Sequence, residues 1–193
     1  MEQAEDFQRL LEQVDTLDVH DDDPQDAQGC LEKAAAEDPD AFLRLSLVDG
    51  VGCRTLRRLV LRFGSAANVL KASLRDLGQV ERIGPKIASG IRDPAVGEYA
   101  KTVQAICKEN SIELLFPGDS RIPTLLTEIS DPPLVLYLQG DFSPDDALSI
   151  GLVGTCHATA YGRYMAERLT RGLCGYGCTI VSGLARGIDG VCH

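Results

Sequence analysis

The sequence has no tryptophan, two methionines and only 5% aromatic residues in 193. It has no apolar run near the length of about 18 residues that a membrane-spanning helix requires, so no membrane partner is expected. Its acidic N-terminus lacks the basic and apolar segments of a secretion signal, and a cytoplasmic location is therefore expected. No CxxC pair occurs among the seven cysteines, an odd number that suits reduced thiols better than a disulfide framework. Cys156 with His157, Cys174 with Cys178, and Cys192 with His193 match no common zinc framework, so neither metal nor cofactor is expected. Positive charge is also short: the formal net charge is −10, which for the chain as a whole argues against a polyanionic partner.

That deficit is not evenly spread. Residues 1–40 hold 14 acidic residues against 2 basic, whereas residues 41–193 hold 15 against 17. Within 41–95 the balance is 4 acidic to 10 basic, enough for modest attraction to phosphate. Three segments are therefore expected: an acidic arm at 1–40, a helical module at 41–110, and an α/β domain at 111–193. In the arm, Phe7, Leu10, Leu11, Val14 and Leu17 recur at helical spacing, and Asp21 to Gly29, with Pro24, breaks the pattern. The arm reads as largely solvated. With 44% hydrophobic residues the remainder can bury a core.

The most informative stretch runs from Ser149 to His193. Ile150–Val153 and Thr179–Val181 read as short buried parallel strands. Between them Tyr161–Leu173 places Met165, Leu169 and Leu173 on one helical face, and Gly175 and Gly177 end the helix. This is a βαβ unit. At its two strand ends, Gly154 with Thr155 and Ser182 with Gly183 offer backbone amides and hydroxyls, and Arg186 adds a cation. Such turns at the carboxyl edge of a parallel sheet suit a phosphate. The plainer reading is that these glycines only turn the chain.

The helical module carries a second pattern. Asp49, Gly50, Val51 and Gly52 separate two short helices, and a Gly-apolar-Gly turn of this kind is the helix-hairpin-helix turn, able to approach a phosphate. The following helix places Leu56, Leu59, Val60 and Phe63 inward and Arg54, Arg57, Arg58 and Arg62 largely outward. A weaker copy follows at Leu77–Ile91, with Ile83, Gly84, Pro85 and Lys86 at its turn and Arg82 where the first glycine would stand. Either hairpin also fits a simple connector. Ala95–Asn110 reads as a helix, Ile112–Phe116 as a strand, Pro123–Ile129 as a short helix and Leu134–Leu138 as a strand.

The runs GLVGT and ATAYGRYMAERL, then TIVSGLARGIDGVCH, together with FPGDSRIPTLLTEISDPPLVLYLQGD upstream, resemble the DNA-processing protein A (DprA/Smf) family. The resemblance covers roughly Leu45 to His193. It implies an N-terminal helix-hairpin-helix (SAM-like) domain followed by a Rossmann-like parallel-sheet domain. It also implies a single-stranded DNA binder of natural transformation that protects incoming DNA and assists loading of the RecA recombinase, without bond chemistry. A homodimer is a further expectation. The family's phosphate-binding turns fall on Gly154, Thr155, Cys156 and neighbouring His157, and on Ser182, Gly183 and Arg186; Gly50, Gly52, Arg54 and Lys86 are the expected DNA-binding residues of the helical module. Two departures stand out. The family commonly has Gly-Ser-Arg in the first turn, and Cys156 supplies no permanent cation or bidentate donor. Neighbouring His157 lacks arginine's planar fork of donors and replaces it poorly. The family pattern also continues past His193, so a partial domain is expected here.

Two other readings stand beside this one. A nucleotide-processing enzyme on a related sheet would need an acid–base pair, for which Asp189 and His193, four apart, are the candidates; alternatively Asp189 caps the turn or helix and His193 packs nearby. The other is an inactive, truncated remnant. With so few aromatics near the turns, electrostatics and backbone donors should dominate binding over base stacking.

Overall fold

The computed structural model describes residues 24–129, 131–142 and 148–193. The amphipathic stretch at 7–17 lies outside the described residues. The chain mixes α and β structure and divides into two compact units, Met1–Gln139 and Gly140–His193.

In the first unit the described residues begin with α1 (Pro24–Glu37), followed by α2 (Pro39–Ser46), α3 (Cys53–Phe63), α4 (Ala66–Lys71), α5 (Leu74–Leu77), α6 (Pro85–Arg92) and α7 (Pro94–Glu109). Side-chain caps start most of them: Asp38, Ser65, Ser73 and Asp93 each accept an amide of the first turn. Proline fits at the starts of α2, α6 and α7, where an amide hydrogen has no helical partner. Phe42, Leu45, Leu56, Leu59, Val69, Leu77 and Ile91 are buried together. On α7 the buried line is Ala100 and Cys107, with Val96 and Val103 half-buried, while Tyr99 and Ile106 face water.

The expected arm at 1–40 ends earlier than its charge suggests. Pro24 opens a helix rather than breaking one, and Leu31, Ala34 and Ala35 of α1 are buried in the helical core. The small apolar residues of α1 decide its packing.

Strand β1 (Glu113–Leu115) pairs antiparallel with β2 (Leu136–Leu138), Glu113 opposite Leu138 and Leu115 opposite Leu136, with the short helix α8 (Thr124–Thr127) between them. Both strands fall in the first compact unit, Met1–Gln139. Burial explains this: Leu115 is fully buried and the Phe116 ring meets Phe42 edge-on at 6.0 Å. A cleft of about 470 Å³ lined by Cys30, Lys33, Ala34, Val60 and Leu61 holds none of the residues read as functional.

The second unit is the βαβ segment. β3 (Ser149–Gly151) and β4 (Thr179–Val181) pair in parallel, Ser149 with Thr179 and Gly151 with Val181. Helix α9 (Ala160–Gly175) connects them, and α10 (Ile188–Cys192) follows β4. Thr159 caps α9 by accepting the Gly162 amide. At the other end Gly177, at φ +78°, turns the chain so that Cys178 donates to the Leu173 carbonyl and Gly177 to that of Cys174. Glycine reaches that left-handed conformation without a Cβ penalty, and the two bonds satisfy carbonyls that the helix leaves open.

Candidate nucleic-acid interface

Two loops leave the same edge of the β3–β4 pair, residues 152–159 before α9 and 182–187 before α10. They are locked together. The Ile188 amide donates to the Thr155 carbonyl at 3.2 Å. A Cβ on Gly187, at φ +97°, would collide with that carbonyl oxygen and lie 2.7 Å from the Cys156 Cα. A Cβ on Gly154 would lie 2.5 Å from the Ile188 Cβ. Both glycines are therefore required by the close approach of one loop to the other.

Asp189 is the centre of this arrangement. It is 5% exposed, and its carboxylate accepts the Gly154 amide on Oδ1 at 3.0 Å and the Gly183 amide on Oδ2 at 3.1 Å. One buried side chain thus straps the first loop to the second. The capping role weighed for Asp189 is the one seen, and the expectation that Gly154 and Gly183 present amides to a ligand is corrected: those hydrogens point inward to a carboxylate. The signal was present as an acidic residue just inside a short helix, but spacing along the chain does not reveal that its partner is Gly154, 35 residues away.

The donors that remain lie one step further along. Among the described residues the amides of Thr155 and Cys156 have no intramolecular partner. The Thr155 hydroxyl accepts the His157 amide at 3.2 Å, which leaves its own hydrogen to donate outward. Thr155, Cys156, His157 and Arg186 are all exposed, and Arg186 has no ion pair among the described residues. Ser182 is more engaged than expected: its hydroxyl accepts the Leu184 amide at 3.2 Å and meets His193 Nε2 at 2.8 Å. His193 therefore pairs with Ser182, and the Asp189 oxygens are occupied by loop amides, so the two residues do not form an acid–base pair with each other.

In the helical unit the two hairpin turns repeat one geometry. Val51 donates to the Val48 carbonyl at 3.0 Å and Ile83 to that of Val80 at 3.1 Å; Leu56 then donates to Gly52 and Ala88 to Gly84. Gly50 has φ +86°, and Arg82, at the equivalent position, is held at φ +63°. The turn read as imperfect keeps its shape despite its side chain. The hairpins interlock, since a Cβ on Gly90 would fall 2.9 Å from Val48 Cγ1 and one on Gly50 3.3 Å from the Ile87 side chain. Lys86 Nζ forms an ion pair with Asp49 at 2.5 Å. The hydrogen bond and charge of Lys86 hold the Asp49 carboxyl below its ordinary range, and Asp49 raises Lys86 in turn. Arg54 and Arg62 are exposed as expected; Arg57, expected outward, is buried. Cys53, at the start of α3, has its thiol pushed up to about 11, first by burial and then by its hydrogen bond to Asp131.

Comparison with known proteins adds to this geometry. Residues 113–193 match the family described as DNA recombination-mediator protein A. The Smf protein of Synechocystis is 35% identical over 156 residues, 79% of this chain and 39% of the relative. Residues 113–193 carry the sequence pattern of the DprA/Smf family. The DNA processing protein DprA of Bacillus subtilis is 41% identical over 92 residues, 47% of this chain and 31% of its own length. The Smf protein of Escherichia coli is 36% identical over 80 residues, 41% and 21% respectively. The chain thus spans about two fifths or less of the length of these DprA/Smf relatives. Among the described residues no helix is long and apolar enough to cross a membrane, and no cluster of three or more metal-ligating side chains occurs.

Proposed function

We propose that this chain binds single-stranded DNA through the paired loops of its second unit. The phosphate donors are the Thr155 and Cys156 amides, the Thr155 hydroxyl and the Arg186 guanidinium, with Ser182 and His157 alongside; Gly154, Gly183 and Asp189 hold the loops in place. The observation that carries this reading is the Asp189 strap, which fixes two adjoining loops so that partnerless donors lie beside an unpaired arginine. The unit is a partial Rossmann-like domain in this reading, and the helical unit is a tandem helix-hairpin-helix (SAM-like) module. In that module Gly50, Gly52 and Arg54 contact phosphate, and Lys86 does so on release from Asp49. The setting is that of the family: DNA processing in recombination and natural transformation, in the cytoplasm, with protection of incoming strands, assistance to RecA and a homodimeric assembly. The protein acts by binding rather than by catalysis.

Phosphate contacts give affinity without sequence preference, and affinity should fall steeply with salt. Gel-shift titration of a single-stranded oligonucleotide tests the site. Arg186→Ala should weaken binding and Cys156→Arg should strengthen it, each by about 1–3 kcal/mol, the range for a hydrogen bond to a charged group. Titrations that neither substitution moves, or that ignore salt, would overturn the reading.

A further inference from the structure

Helix α9 has a second face that the paired loops do not use. Its inner side is small: Ala166 is buried, and a Cβ on Gly162 would approach Ile188 Cδ1 at 3.6 Å. Residues 161, 164 and 168 fall together on the opposite side by helical spacing. There Tyr161 is 72% and Tyr164 57% exposed, directly after the loop that ends at the Thr159 cap.

Charge identifies what this face suits. Residues 149–193 carry four arginines against Glu167 and Asp189. Arg171 is paired with Glu167 at 2.6 Å, whereas Arg163 and Arg168, both exposed, have no ion pair among the described residues. An apolar protein partner laid on the tyrosines would bury the Arg168 guanidinium without counter-charge, which is costly. A ligand that alternates flat aromatic faces with anionic linkages satisfies both groups at once. Phenol rings stack on any nucleobase, and arginine adds both cation–π and phosphate contacts.

We propose that Tyr161 and Tyr164, with Arg168 on the same face, form a base-stacking platform that continues the path of a single strand from the 152–159 loop onto α9. This rests on the loops being phosphate-binding, and it reverses the expectation that aromatics contribute little to binding.

The test uses the full chain, a labelled oligothymidylate and an abasic oligonucleotide of equal length, with Y161A/Y164A and Y161F/Y164F beside the parent. Thermal melts of the variants should match the parent, since both side chains are exposed. The alanine pair should bind oligothymidylate about tenfold or more weakly, while the phenylalanine pair keeps parental affinity. On the abasic strand the parent should lose a similar factor and the alanine pair should lose nothing further. Because the protein has no tryptophan, tyrosine emission is directly readable; the intact strand should quench it in the parent and quench it less in the phenylalanine pair. Equal affinity of alanine variant and parent for oligothymidylate would overturn the platform while leaving the loops in place if Arg186→Ala still weakens binding. A parent that binds neither strand would overturn both. If the alanine pair instead shifts a monomer–dimer equilibrium in sedimentation with DNA affinity unchanged, the face is a contact between copies and the proposal is wrong.

Discussion

Asp189 has two acceptor oxygens and spends each on an amide from a different loop. Asp189→Asn keeps the size but replaces one acceptor with a donor, which leaves one of the two amides facing another N–H. The expected cost is about 1–3 kcal/mol of stability in the second unit, as for any buried donor without a partner. In proton NMR the Gly154 or Gly183 amide should shift upfield as it loses a carboxylate partner; both resonances staying in place would contradict the strap. The same logic separates legible from illegible residues. That Thr155, Cys156 and Arg186 are exposed follows from local sequence, as polar groups beside glycines. That the glycine amides point inward could not be read, because it depends on a side chain distant in sequence.

Cys53 offers a separate residue-scale prediction. Its thiol stays neutral in the folded protein up to about pH 11, against 9.0 for an unburied thiol. The folded state therefore binds a proton that the unfolded chain releases at lower pH. Stability from this group is complete below about pH 9 and declines as pH rises from there toward about 11. Parent melting midpoints should drop more across that window than those of Cys53→Ala. Identical slopes would contradict the shift.

At the scale of elements, most helices and strands were legible to within a few residues. The 3.6-residue apolar period of α3, the β-branched run of β4 and the glycines after α9 each act locally. The exceptions are informative. Arg57 lies among alternating arginines and leucines, and period alone does not distinguish a buried guanidinium from an exposed one. Arg82 adopts the left-handed conformation that Gly50 adopts in the first hairpin, which costs a side-chain-bearing residue roughly 1–2 kcal/mol. Among the described residues its ion pair is an exposed contact with the adjacent Glu81, worth little. Arg82→Gly should therefore stabilise the helical unit modestly, by about 1 kcal/mol after the entropic penalty of glycine, and raise its melting temperature. A melt that falls would show that the turn is not held at positive φ.

At the scale of the whole molecule, charge and packing divide the N-terminal region differently. Charge alone favours removing 1–40 as an acidic arm that competes with DNA; packing assigns Leu31, Ala34 and Ala35 to the core. Deleting residues 1–23 should leave the cooperative melt of the helical unit intact and tighten binding to a single strand at low salt. Deleting 1–40 should collapse that melt. Unchanged affinity after the shorter deletion would remove competition by the arm.

The sequence by itself determined the family pattern, the order of its elements, the parallel pairing of β3 with β4 and the uneven charge, because each depends on residue type and near-neighbour spacing. Only the tertiary structure decided that β1 and β2 pair antiparallel within the helical unit, that α1 is core, and which loop amides are already bonded. Those outcomes are set by burial and by hydrogen bonds between residues far apart in the chain, where the competing partners are chosen by three-dimensional proximity.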